Sequence, residues 1–233
     1  MSKLCVITGV GEGNGVAMSR RFAAEGYRVA MLARTKSKLD EFEKAIEGAR
    51  GYACDVTDPA AVTDVIDRIR KDLGPTDVFI HNAGSGMFKQ FSETTIEEME
   101  TSWRINTLAL LQFGQAAAED MLKTGSGSIV VTGATSSLRG GANFAPFASS
   151  KAAQRSLAQS MARSLGPQNI HVSYIIVDGV IDLPRTRELF AKDEPDEFFI
   201  KAKDIAEAAY YLAHQPRSAW TFELDLRPFG EKW

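Results

Sequence analysis

The stretch Leu4–Gly15 restricts the fold more than any other part of this chain. Leu4-Cys5-Val6-Ile7 is a short, continuous apolar run, and Thr8-Gly9-Val10-Gly11-Glu12-Gly13-Asn14-Gly15 follows it directly. The amphipathic segment Val16–Glu25 comes next and is closed by Gly26. An unbroken apolar run reads as a strand covered on both faces, because a half-exposed strand would alternate. A glycine at every second position of the turn lets the backbone bend tightly and approach another group closely. Strand, glycine turn and helix in this order open a βαβ unit.

The rest of the chain continues the alternation. Strands are expected at Arg28–Leu32, Tyr52–Cys54, Asp77–Ile80, Ser128–Thr132, His171–Val177 and Thr221–Leu226. Helices are expected at Lys36–Ala49, Ala60–Leu73, Ile96–Leu122, Phe147–Leu165 and Asp204–His214. Asp58-Pro59 is a helix start, and Gly74-Pro75 and Gly166-Pro167 are stops. Short apolar strands alternating with helices predict an α/β fold with a doubly wound parallel sheet. No linker or repeat divides residues 1–233, so one domain is expected. The charged segment 184–200 reads as a substrate loop. Residues 220–233 read as a last strand and an aromatic tail that packs onto this subunit or a neighbour.

Composition removes several function classes. A net charge of −3 with mixed signs gives no electrostatic case for nucleic acid or an anionic membrane. The longest apolar stretches, such as Leu108–Leu111, fall far short of the ~20 residues that span a bilayer. Met1-Ser2-Lys3 leads straight into the first strand, so a cytoplasmic protein is expected. Cys5 and Cys54 lie in apolar runs and read as buried, reduced thiols, and no metal-ligand spacing involves them.

The glycine turn stands where a dinucleotide pyrophosphate meets a helix N-terminus, with Gly9, Gly13, Asn14 and Gly15 as its contacts. The second strand ends in Ala33-Arg34, with Lys36 and Lys38 nearby, where an NAD site usually places an acid. A guanidinium there suits a 2′-phosphate, which puts NADP(H) ahead of NAD(H). A solvated surface arginine is the alternative, and Glu12 brings opposing charge into the turn. Asp55 either meets the adenine edge or caps a turn. Asn82-Ala83-Gly84 lets the backbone approach the adenine ribose, while His81 beside it reads as structural.

With the glycine turn, Asn82-Ala83-Gly84, Asn106 and Lys151 in this order, essentially the whole chain resembles the short-chain dehydrogenase/reductase family. The resemblance implies a Rossmann domain that assembles as a homodimer or homotetramer through helices 96–122 and 147–165. It implies a Ser–Tyr–Lys site supported by an Asn. The tyrosine exchanges a proton with the substrate oxygen, and the lysine lowers the tyrosine pKa and grips the nicotinamide ribose. The serine orients the oxygen, and the asparagine holds a relay water. Gly179 and Ile181 fall among the implied cofactor contacts, and Asp182 falls about where a threonine is usual.

Asn106 and Lys151 match this pattern, but Phe147 occupies the tyrosine position and Ala134 the serine position. Substitute proton donors are Thr135, Ser136, Ser149, Asp178, or a water held by Asn106 and Lys151. General acid catalysis contributes roughly 10²–10⁴-fold, and positioning contributes more, so the loss does not exclude redox chemistry. Three readings follow. One is an NADP(H)-dependent oxidoreductase with a non-standard proton donor, acting on a small apolar carbonyl or enone. The second is a cofactor-binding sensor or partner subunit without turnover, and the third is a lyase or isomerase. Phe144 and Phe147 either wall the substrate pocket or fill the space of a lost hydroxyl.

Overall fold

The computed structural model describes residues 2–190 and 192–231. In chain order the main elements are β1 (Leu4–Thr8), α1 (Asn14–Ala24), β2 (Arg28–Ala33), α2 (Lys36–Ala45), β3 (Ala49–Ala53), α3 (Pro59–Leu73) and β4 (Val78–His81). There follow α4 (Ile96–Trp103), α5 (Ala109–Thr124), β5 (Gly127–Thr132), α6 (Ala145–Leu165) and β6 (Ile170–Val177). The chain closes with β7 (Val180–Ile181), α7 (Pro184–Phe190), β8 (Phe199–Ile200), α8 (Ala202–Ala213) and β9 (Glu223–Leu226).

Seven strands form one parallel sheet in the order β3-β2-β1-β4-β5-β6-β9, so the chain winds outward from β1 and then crosses to its other side at β4. That reversal leaves a crevice beyond the carboxyl ends of β1 and β4, where ligands of such sheets bind. Alternation within the strands builds two cores. Leu4 and Val6 pack with Val65 and Ile69 of α3 and Leu110 and Phe113 of α5. Cys5 and Ile7 face the other way, onto Met18 and Phe22 of α1 and Ile205 and Leu212 of α8. Both cysteines are free and buried, and burial pushes their thiols up, Cys54 to about 11. Among the described residues no helix is long and apolar enough to cross a membrane, and no acidic, His or Cys cluster could hold a metal.

The structure departs from the sequence reading in several places. The second helix stops at Ala45, because Gly48 turns the chain at φ 81° and β3 begins at Ala49. The long helix expected over 96–122 is split by a π-helical turn, Arg104–Leu108. Its first part, α4, starts at a capping box in which Glu98 and Thr95 satisfy each other's backbone N–H groups. Within segment 184–200 lie α7 and β8, and β8 pairs with β7 as a separate two-stranded sheet. The tail docks through Trp220, stacked on His171 at 4.9 Å, and through Pro228, which lies against Gly179. Phe229 instead faces solvent. Lys232 and Trp233 lie outside the described residues.

Candidate active site

The crevice is shaped by backbone contact. Gly9 has φ 71°, and a methyl group on it would stand 2.5 Å from Ala83 Cα, so only glycine fits. A methyl on Gly15 would meet Val10 Cα at the same distance. Asn82 Nδ2 donates to the Gly9 carbonyl at 2.9 Å, tying the end of β4 to the glycine turn. His81 is buried, and burial, with the Lys151 charge second, pushes its pKa down to about 3. Its neutral ring donates from Nε2 to the Asn106 carbonyl at 3.1 Å and accepts the Thr8 hydroxyl at Nδ1 at 3.2 Å. This is a structural histidine.

The π-helical turn carries Asn106. Its Nδ2 donates to the Ser102 carbonyl at 2.9 Å and to Ser150 Oγ at 3.1 Å, while its own carbonyl accepts from Gln154 Nε2 at 2.8 Å. The side chain is thereby locked, yet its Oδ1 is buried without a partner. That oxygen lies beside Gly84, where a Cβ would stand 3.5 Å from it and 3.9 Å from Lys151 Nζ. Lys151, on α6, is buried and donates to the Thr132 carbonyl at 2.9 Å and to Gln154 Oε1 at 3.1 Å. Burial lowers its pKa to about 7. Asn14 Oδ1 and Thr132 Oγ1 are likewise buried and unpartnered. An unmet buried polar atom costs about 1–3 kcal/mol, so these three oxygens are available to a polar ligand or water.

A cavity of about 610 Å³ is lined by Asn14, Thr132, Gly84 and Lys151, while Asn106 lies behind Gly84 and outside the lining. Asn14, Asn82, Gly84, Lys151, Gly179 and Ile181 line it, so six of the candidate cofactor contacts converge there. Phe147 lines it too, and Phe88 meets both Phe144 and Phe147 edge to face, with centroids 5.0 and 5.4 Å apart. The aromatics therefore form a wall of the cavity rather than plugging it.

The substitute hydroxyls do not all reach the site. Ala134 presents only a methyl group to the lining. Thr135 lines the cavity, but its hydroxyl donates to Asp178 Oδ1 at 2.5 Å, so it can only accept from a ligand. Asp178 also faces the Arg227 guanidinium, 3.6 Å from Nε, so its carboxylate is engaged by Thr135 and Arg227. Ser149 is not in the lining: it sits on the outer side of α6 and donates to the Ala145 carbonyl at 2.8 Å. Ser136 lines the cavity, and its hydroxyl has no partner among the described residues.

Arg34 is exposed at the end of β2, with no hydrogen bond or ion pair among the described residues. Its neighbours are engaged: Lys38 pairs with Glu12 at 2.8 Å and Lys36 with Asp40 at 2.6 Å. Asp55 accepts from the Thr57 N–H at 2.9 Å and the Thr57 hydroxyl at 2.8 Å, which is a turn role. Those bonds, with the Arg34 charge as a smaller contribution, hold its pKa down. Asp182 does not face a ligand, because it is held by Arg187 at 2.5 Å and Lys201 at 2.6 Å, which pull its pKa to about 2. The residue after it, Leu183, reaches Gly13 and covers the turn. The sequence reading missed Leu183, Thr132 and Gln154. Only Gln154 left a signal there, one helical turn after Lys151 on the same face.

A family model described as short chain dehydrogenase matches residues 3–194. A short-chain dehydrogenase from Rhodopseudomonas palustris is 35% identical, with a TM-score of 0.83 over 97% of this chain and 99% of that one. The 3-oxoacyl-[acyl-carrier-protein] reductase MabA of Mycobacterium tuberculosis is 30% identical over 210 residues, covering 90% of this chain and 82% of that protein. An alcohol dehydrogenase from Thermococcus sibiricus, complexed with 5-hydroxy-NADP, is 26% identical with a TM-score of 0.86, covering 100% of this chain and 99% of that one.

Proposed function

The chain belongs to the short-chain dehydrogenase/reductase family, and from that premise we propose that it is an NADP(H)-dependent oxidoreductase that delivers its proton without a tyrosine. The observation that carries this reading is the pair formed by Asn106 Oδ1, buried and unpartnered, and Lys151 Nζ, both beside Gly84. Gly9, Gly13, Asn14, Gly15, Asn82, Ala83 and Gly84 would hold the dinucleotide, with Lys151, Gly179 and Ile181 at its nicotinamide half. Arg34 would meet a 2′-phosphate, and NAD(H) would be the weaker ligand. The preference rests on Arg34 alone.

When bound, a reduced nicotinamide supplies the hydride, and the chain handles the proton. Asn106 Oδ1 accepts from a water beside Gly84, and the Lys151 ammonium stands behind that water. As the substrate carbon gains hydride, its oxygen takes one proton through the water from Lys151. Lysine is left as a neutral amine with two N–H bonds, and these match its two acceptors, Thr132 O and Gln154 Oε1. Solvent then returns the proton. Both charge states are accessible near neutrality because burial brings the lysine pKa to about 7. The aromatic wall selects small apolar carbonyls or enones.

Exposed Ile96, Trp103 and Leu122 on α4 and α5 support a homodimer or homotetramer built through these helices. Free, buried thiols suit a cytoplasmic setting. A second reading, cofactor binding without turnover, draws on the methyl of Ala134 and the ring of Phe147 at the two usual hydroxyl positions. Joint substitution of Asn106→Ala and Lys151→Met decides between them. Loss of NADPH oxidation at NADPH concentrations that saturate the variant supports the relay, whereas unchanged turnover defeats it. Binding without oxidation across aromatic aldehydes and enones would favour the second reading.

A further inference from the structure

Ser136 and Arg139 stand three residues apart on the turn that joins β5 to α6. This turn is held by N–H donation from Ser137 to the Ala134 carbonyl and from Leu138 to the Thr135 carbonyl, both at 2.9 Å. Both Ser136 and Arg139 line the cavity that also carries Phe88, Phe144 and Phe147. Neither side chain has a hydrogen bond or ion pair among the described residues. Arg139 lies at the rim of an apolar cavity with no carboxylate partner among the described residues, and there its guanidinium is open to an anionic ligand.

None of the other charged groups of the lining forms an ion pair with Arg139 among the described residues. Lys151 has the same sign and lies deep, bonded to Thr132 and Gln154. Asp178 is matched by Arg227 and by the Thr135 hydroxyl. Glu231 lies against Gly179, within 3.9 Å of where its Cβ would be. We propose that Ser136 and Arg139 form an anion subsite, and that the substrates of this cavity are aryl or apolar carbonyl compounds bearing a carboxylate. The guanidinium takes the carboxylate in two-pronged fashion and the serine hydroxyl adds a third donor, while the body of the ligand lies on the aromatic wall. The carbonyl end is thereby directed towards Lys151 and Asn106.

This proposal rests on reading the cavity as the substrate site, but it is tested by binding, so a protein that never turns over still answers it. The NADPH-loaded protein is titrated calorimetrically with 2-naphthoate and with 2-naphthamide, which share the ring system and differ in charge. Naphthoate is expected to bind about tenfold more tightly. Arg139→Gln should abolish that difference while leaving naphthamide affinity and the thermal midpoint unchanged, and Arg139→Lys should keep part of it. Equal affinities, no binding of either compound, or a preference that survives Arg139→Gln would each overturn the subsite. Reduction of neutral aryl aldehydes without any carboxylate preference would overturn this proposal alone and leave the oxidoreductase reading standing.

Discussion

Lys151 Nζ lies 5.9 Å from the centroid of the Phe147 ring, one helical turn away on the same face of α6. The amine therefore looks across a hydrocarbon at the position where a phenol would share its proton. A cation at that distance gains something from the ring face, but far less than water offers an ammonium. The balance shifts towards the neutral amine, in keeping with a pKa lowered to about 7, so that both charge states are reached near neutrality.

Restoring the phenol should change both rate and pH dependence. Phe147→Tyr places a hydroxyl beside Lys151 within the existing aromatic wall. Turnover of an aromatic aldehyde is expected to rise about 10²-fold, the low end of general acid catalysis, because Ala134 still supplies no second donor. Steady-state kinetics across pH 5–9 would check this, and an unchanged rate would show that proton transfer does not limit the reaction.

The buried lysine also leaves a mark on stability. Its folded-state pKa, about 7, lies below the 10.5 of the unfolded chain. Between these values the unfolded state binds more protons, so stability rises as pH rises from about 7 towards 10. Lys151→Met removes this linkage. Denaturant unfolding at pH 7 and pH 9 should show the wild type gaining on the variant at the higher pH. Comparing the two proteins cancels the tyrosines, whose raised pKa values act above pH 10.

Cofactor choice should follow Arg34. In the wild type, NADPH is expected to raise the thermal midpoint more than NADH at equal concentration, because a ligand that binds only the folded state stabilises it. Arg34→Ala should weaken NADPH about tenfold or more and leave NADH nearly unchanged, as expected for loss of a charge-assisted bond.

Gly9→Ala is expected to be severe. The φ of 71° disfavours any side chain, and the added methyl would stand 2.5 Å from Ala83 Cα, between two strand ends that cannot yield. A loss of about 3 kcal/mol or more is expected in denaturant unfolding. NADPH binding should weaken as well, because β1 and β4 would be forced apart at the crevice.

Much of this was legible in the sequence because it is local. The apolar run, glycine turn and helix of residues 4–25 dictate their own conformation, and the two-faced burial of β1 follows from its unbroken apolarity. The break at Arg104–Leu108 was hidden because one widened turn barely disturbs a hydrophobic period. The strand β3 was shortened in the reading by Arg50 and Gly51, which an edge strand tolerates. Ser149 is a different case. Helix geometry already puts residues 147 and 151 on one face and 149 on the other, so proximity in sequence misled where periodicity would not have. The Thr135–Asp178 bond joins the ends of two neighbouring strands, β5 and β6, and no local pattern announces it.

Deuteride transfer shows directly whether hydrogen passes from the cofactor to a substrate on this protein. Wild-type protein is incubated with NADPH deuterated at the transferable nicotinamide position and a panel of aromatic aldehydes and enones, and products are read by mass spectrometry. Deuterium is expected on the former carbonyl or enone carbon, and is expected to be lost in the Asn106→Ala, Lys151→Met double variant. NADPH binding with no deuterium in any product would contradict the oxidoreductase reading and leave a cofactor-binding protein that does no redox chemistry.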